Sequence, residues 1–220
     1  MAKEDQMIMT VERDVLFNYN KDYFNGFQMT GEVDFESRIL ANSLLLRRGK
    51  NGDLALGKIS AEENPTFKQP IGYALVINPE LKKVFAYKRA SKDENYAEKR
   101  LYGKWSWGVG GHIEGSDSLN PIRGSMKREI EEEIQMNGKI YDIKPLGYIN
   151  DDSNSIGSVH FGILYAALTD STEVKPTDEH EIDMGELMTI SQLEEIMMAP
   201  DCDVETWSQI AMTPLKKYLI

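Results

Sequence analysis

Arg128-Glu129-Ile130-Glu131-Glu132-Glu133, preceded by a Gly110-Gly111 pair, is the stretch on which the reading of this chain turns. At 3.6 residues per turn, Glu129, Glu132 and Glu133 stand at i, i+3 and i+4 and project from one side of a helix, while Glu131 points away. Asn120 is a good N-cap, and Pro121 suits the first helical position, where no amide donor is required. Ile122, Met126, Ile130 and Ile134 form an apolar stripe beside the carboxylates, so one edge of the helix is expected to pack on a core and the next to face a cleft.

Three like charges on one helix edge repel one another. A cation between them removes that cost, and hard ions such as Mg²⁺ and Mn²⁺ prefer oxygen ligands. An acidic, solvated helix face carries the same residues without a metal. The glycine pair upstream tips the choice, because glycine lets the backbone turn tightly and leaves a carbonyl able to approach an ion.

In these residues the chain resembles the Nudix (MutT-like) hydrolases. The family signature is a glycine, five residues, a glutamate, seven residues, then Arg-Glu-aliphatic-any-Glu-Glu-any-Gly-aliphatic. Gly111 serves as the first glycine, and Arg128, Glu129, Ile130, Glu132, Glu133 and Met136 fit the second half. The box is a variant. Its first spacing is longer by three residues, with Ser118-Leu119-Asn120 as the insertion, and Gln135 stands where the family has glycine. The resemblance implies an α/β fold, a Nudix-like α/β/α sandwich with a mixed β-sheet. It further implies a metal-dependent hydrolase that cleaves a diphosphate linked to another moiety, with water as nucleophile. In that reading Mg²⁺ or Mn²⁺ is held by Glu129, Glu132, Glu133 and the Gly111 carbonyl, and Arg128 orients the carboxylates by charge-assisted hydrogen bonds. Glu179 or Glu181, in the acidic run before the last strand, is the candidate for a further ligand or base.

Substrate contacts are expected elsewhere. Between Lys88 and Lys104 basic residues outnumber acidic ones and can meet phosphate, with Arg89 the candidate contact. Asp152 and His160 are substrate candidates, since loops in this region often select the substrate in Nudix-like folds. Asp151 reads as an ordinary turn residue, and Trp105 and Trp107, on one face of a strand, read as core.

With 220 residues and 41% hydrophobic content the chain can bury a full core. The net charge of −11 disfavours sequence-independent nucleic-acid binding, which needs phosphate-neutralising Lys and Arg, and suits a small phosphorylated substrate. One cysteine, Cys202, leaves no internal disulfide, and neither a signal sequence nor a bilayer-spanning run is present, so a cytoplasmic location without membrane contact is expected.

Along the chain, residues 70–220 read as the Nudix-like hydrolase domain. Residues 1–69 read as an N-terminal α+β extension that packs on the core or on a partner subunit, the latter implying a homodimer. The extension is expected to hold a strand over Met7–Phe17 and a helix from an Asp34 cap through Arg48, stopped by Gly49. In the domain, a hairpin with an Asn78-Pro79 turn spans Ile71–Arg89, and further strands cover Trp105–Ile113, Ile143–Ile149, Ser158–Leu168 and Glu186–Ile190. Helices follow over Ser191–Met198 and, in two pieces, from Val204 to the C-terminus. Two rival functions share this fold: a ligand sensor or interaction module that no longer turns over substrate, and an isoprenoid diphosphate isomerase. The isomerase needs an acid/base pair, for which Cys202 is poorly placed.

Overall fold

The computed structural model describes residues 5–49, 60–90, 101–115, 120–177 and 182–219. In chain order the elements are β1 (Met7–Glu12), α1 (Arg13–Leu16), β2 (Gly26–Met29), α2 (Phe35–Asn42), β3 (Leu44–Arg47), β4 (Phe67–Asn78), β5 (Lys83–Arg89), β6 (Trp105–Ser106), β7 (Val109–His112), α3 (Pro121–Glu133), β8 (Ile134–Met136), β9 (Ile140–Asn150), β10 (His160–Thr169), β11 (Val174–Pro176), β12 (Ile182–Thr189), α4 (Ile190–Met198) and α5 (Thr206–Leu219). The architecture is mixed α/β with a large mixed sheet, as the box implied. The chain divides into two compact units: Met1–Tyr73 with Gly110–Lys127 and Gly147–Leu164, and Ala74–Val109 with Arg128–Leu146 and Tyr165–Ile220.

In the first unit β1 is the hub of the N-terminal segment. It pairs antiparallel with β3, Thr10 opposite Leu44, and then with β4, Val11 opposite Lys68. β2 pairs antiparallel with β9, Phe27 opposite Ile149. Phe17, Phe24, Phe35, Tyr148 and Phe161 close this region as an aromatic cluster of mostly edge-on contacts, with Phe35 5.0 Å from Tyr148 and 5.2 Å from Phe161. Such pairs add about 0.5–1.5 kcal/mol each beyond the area they bury.

Two glycines allow the close approaches in this unit. A Cβ on Gly110 would lie 2.2 Å from the Gly72 carbonyl oxygen, so β7 can lie against β4 only with hydrogen at that position. On Gly72 itself, a Cβ would meet the Met126 Cβ at 3.0 Å, which lets the first half of α3 settle on the strand.

In the second unit β5 lies between β4 and β12, with Val84 opposite Ile77 on one side and opposite Met188 on the other. β6 extends it, Ser106 opposite Tyr87. The C-terminal segment fastens to β6: Trp105 N–H donates to Asp203 O (2.8 Å), Glu205 N–H donates to Trp105 O (2.9 Å), and Trp107 N–H donates to the Ser208 hydroxyl (3.1 Å). Trp105 and Trp107 are both buried, as the sequence suggested.

Several boundaries differ from the sequence reading. Asp34 does cap α2, accepting from Ser37 N–H at 3.0 Å, but the helix ends at Asn42 and residues 44–47 form a strand. Partnering with β1 outweighs the helical pattern of Leu44–Leu46. The segment from Met7 is a strand only to Glu12, where the chain turns into the short α1. α4 begins at Ile190, one residue before the start read from the sequence, and Thr189 caps it with a reciprocal bond to Gln192. The C-terminal helix is continuous from Thr206 to Leu219 despite Pro214, with Ala211, Met212, Pro214, Leu215 and Leu219 buried.

Replacing Gly110 with alanine is expected to lower stability by about 1–3 kcal/mol, the range for steric overpacking, because a backbone rather than a side chain must yield. A urea unfolding midpoint unchanged from wild type would contradict this role.

Candidate active site

The carboxylate helix is built as its sequence suggests. The Asn120 side chain accepts from Arg123 N–H (3.2 Å), and its carbonyl accepts from Gly124 N–H (2.8 Å), so the cap precedes Pro121 at the first helical position. Ile122, Met126, Ile130 and Ile134 are all buried. Ile134, however, belongs to β8 rather than to the helix. The chain passes directly from Glu133 into that strand, where Gln135 pairs with Lys175 and Ile134 with Pro176. Thr177 N–H donates to the Glu133 carbonyl at 2.8 Å. A strand residue needs no left-handed backbone, so glutamine fits where the family has glycine.

Arg128 organises the acidic edge. Its Nη1 donates to Glu129 Oε1 at 2.7 Å and to Glu132 Oε2 at 3.1 Å, so one guanidinium bridges two of the three carboxylates. Glu129 and Glu133 are half-buried and Glu132 is exposed. Hard carboxylate oxygens on one helix edge, with two of them already oriented, suit Mg²⁺ or Mn²⁺. Gly111 lies half-buried on β7. Arg89 ends β5, where it forms an ion pair with Glu205, donates to the Tyr87 hydroxyl at 3.1 Å and stacks over the Tyr87 ring. Glu179 and Glu181 lie outside the described residues, as do residues 91–100 of the basic stretch.

The other two candidates, Asp152 and His160, share a network in the first unit. Its centre is Lys68, whose side chain is 0% exposed. The Lys68 ammonium donates to Asp152 Oδ1 (2.5 Å), Gly157 O (2.8 Å) and His160 O (3.2 Å), which occupies all three of its protons. Asp152 also accepts from Tyr23 Oη (3.2 Å) and Arg13 Nη2 (3.4 Å). Burial lowers the Lys68 pKa, opposed by its bond to Asp152. For Asp152 burial is the largest single influence and raises the pKa, but Lys68, Tyr23 and Arg13 together bring it below the ordinary carboxylate value. Asp151 is a turn residue, accepting from Ser153 N–H (3.1 Å) and Asn154 Nδ2 (2.9 Å).

His160 is 7% exposed, with Nδ1 donating to Ile156 O at 2.7 Å. Burial, its largest influence, lowers its pKa against the opposing effect of the Glu62 carboxylate. Its Nε2 lies 3.2 Å from Nε2 of His112, which is 2.7 Å from Gln69 Oε1. Lys68, Gln69, Glu62 and His112 had no linear signal. Forty-eight residues separate the two histidines, and only His112, next to the glycine pair, stood near a motif.

No protein-family model matches the sequence. Protein YmaB of Bacillus subtilis (strain 168) is 35% identical to it over 223 aligned positions, spanning 98% of this chain and 100% of the relative. The chain belongs to the YmaB family. Its fold is the Nudix fold: Tm1382, described as a candidate Nudix hydrolase, superposes with a TM-score of 0.72 at 21% identity, over 96% of this chain and 99% of its own. That coverage takes in most of residues 1–69, so the N-terminal segment has a counterpart in Tm1382. The Nudix domain of Shewanella oneidensis NrtR, solved with ADP-ribose, matches at a TM-score of 0.52 and 12% identity over 70% of this chain and 89% of its own. Among the described residues no helix is long and apolar enough to cross a membrane.

Replacing Asp152 with alanine strands a buried ammonium and is expected to cost about 3–5 kcal/mol. Because the folded Asp152 has a depressed pKa, its contribution is present above the unfolded value of about 3.9 and is lost as pH falls through the lower folded value. Wild type should therefore lose more stability than Asp152→Asn between about pH 4 and pH 2; parallel denaturation curves across that interval would contradict the assignment.

Proposed function

We propose that this member of the YmaB family is a metal-dependent hydrolase that cleaves a diphosphate linked to another moiety, with water as nucleophile. The observation that carries the reading is the Arg128 clamp on Glu129 and Glu132 within an α3 that presents Glu129, Glu132 and Glu133 along one edge. A helix face that served only solubility would have no need of a half-buried arginine bridging two of its carboxylates. The Nudix fold supports the same reaction class, and the ADP-ribose held by the NrtR domain favours a nucleoside diphosphate derivative as substrate.

The carboxylates of Glu129, Glu132 and Glu133 would hold Mg²⁺ or Mn²⁺, which when bound neutralises phosphate charge and polarises the phosphorus–oxygen bond. Arg128 is a positioning residue: by bonding Glu129 and Glu132 it fixes the direction of their remaining lone pairs and lowers the repulsion between them. A carboxylate of the same edge accepts the proton of the attacking water. Arg89 would contribute positive charge to the substrate phosphates, and its pairing with Glu205 holds the guanidinium in place. The single cysteine is half-buried near the C-terminus.

A panel of nucleoside diphosphate derivatives incubated with the full chain and Mg²⁺ or Mn²⁺ tests this. Metal-dependent product is expected from wild type, with a loss of about 10²-fold or more in Glu132→Gln and Glu133→Gln. Tight ligand binding without product across the panel would overturn the hydrolase in favour of a sensor, and isoprenoid isomerisation without phosphate release would overturn both. Arg128→Lys, which keeps the charge but loses the fork, is expected to raise the metal concentration for half-maximal rate by about 10–100-fold while KM for substrate stays within error. An unchanged metal requirement would remove Arg128 from the positioning role.

A further inference from the structure

Glu62, His112 and His160 offer three ligand atoms that all lie within 4.8 Å of one another. They come from three separate places in the first unit: the turn after Ser60, the last residue of β7 and the first residue of β10. None belongs to the carboxylate helix. We propose that these residues form a second metal site, selective for a divalent first-row transition ion of the Zn²⁺ class, with Gln69 Oε1 as an additional oxygen donor.

The histidine geometry is that of a ligand pair. The two Nε2 atoms are 3.2 Å apart. Two nitrogens bound at about 2.0–2.1 Å to one tetrahedral ion lie about 3.3–3.4 Å from each other, so an ion fits with a minor adjustment. His160 donates from Nδ1 to the Ile156 carbonyl at 2.7 Å, which directs its Nε2 lone pair toward His112 and fixes the tautomer. A backbone carbonyl on the far nitrogen is the arrangement that orients metal-binding imidazoles elsewhere.

The oxygen side is held with equal care. Arg48 Nε donates to Glu62 Oε1 at 2.8 Å, and Glu62 N–H donates to the Arg48 carbonyl at 3.3 Å, so Arg48 holds both the side chain and the backbone of Glu62. The Gln69 side chain is fully buried, and its Nε2 donates to the Ala61 carbonyl at 2.8 Å, which turns Oε1 toward His112 Nε2 at 2.7 Å. Without an ion, His112 Nε2 carries the proton that bridges to Gln69. On binding, the neutral ring takes the Nδ1–H tautomer and its Nε2 lone pair faces the ion. Two imidazoles make this site softer than the all-oxygen edge of α3, so the two should sort cations: Zn²⁺ or Co²⁺ here, Mg²⁺ there. None of these four residues takes part in the chemistry assigned to α3, so this site is independent of hydrolase activity there.

The test uses the full chain after chelator treatment. Zn²⁺ titrated calorimetrically in excess Mg²⁺ is expected to bind at one ion per chain, and Co²⁺ to give the visible bands of a low-symmetry site. His112→Gln and Glu62→Gln should each weaken Zn²⁺ binding by about tenfold or more, whereas Glu132→Gln should not. Wild type alone supplies an independent measurement: in long-range ¹H–¹⁵N spectra, one equivalent of Zn²⁺ should shift Nε2 of both His112 and His160. Absence of binding, undiminished binding in His112→Gln, or unmoved Nε2 resonances would each overturn the site and leave the cluster a closed hydrogen-bond chain.

Discussion

A fully buried ammonium group must be met by acceptors on every side, and Lys68 imposes that condition on the first unit. Its three protons go to Asp152, Gly157 and His160, so a strand residue dictates the path of the turn leading into β10. Gly157 fits that path because a Cβ there would come within 1.8 Å of the Asp151 carbonyl oxygen. The turn in turn sets the place of His160, whose ring is then fixed by Ile156. Taking an ammonium out of water is costly, and its stabilising value comes only from complete pairing. The network thus acts more as a specification of geometry than as a source of stability.

In the second unit the comparable constraint is backbone pairing at β6. Strand and C-terminal segment exchange hydrogen bonds on both sides of Trp105, and Ser208 reaches the backbone of Trp107. This secures Glu205, the partner of Arg89, close to the end of β5. The Arg128 clamp is local by contrast: it joins residues one and four positions apart on a single helix. The acidic edge therefore needs only an intact helix to keep its shape, which explains why it could be read in a linear sequence.

Where sequence and structure part, long-range pairing explains the difference. Leu44–Arg47 carry a helical pattern but find β1 waiting in register, and β1 also needs a partner. β8 and β11 are each only three residues long and stabilise one another; neither has enough periodicity to be seen alone. Ending α3 at Glu133 removed the need for a glycine at position 135, a departure from the family box that the sequence could register but not account for.

By itself, the sequence determined the cap at Asn120, the buried stripe of α3, the common edge of Glu129, Glu132 and Glu133, and through them the Nudix fold. These features repeat within one or two helical turns, where the period of the backbone alone fixes which residues are neighbours. Only the tertiary structure decided that Lys68 would be buried against Asp152, or that Glu62, His112 and His160 would meet. Those residues are brought together by strand pairing across tens of positions, and no local periodicity encodes an encounter of that kind.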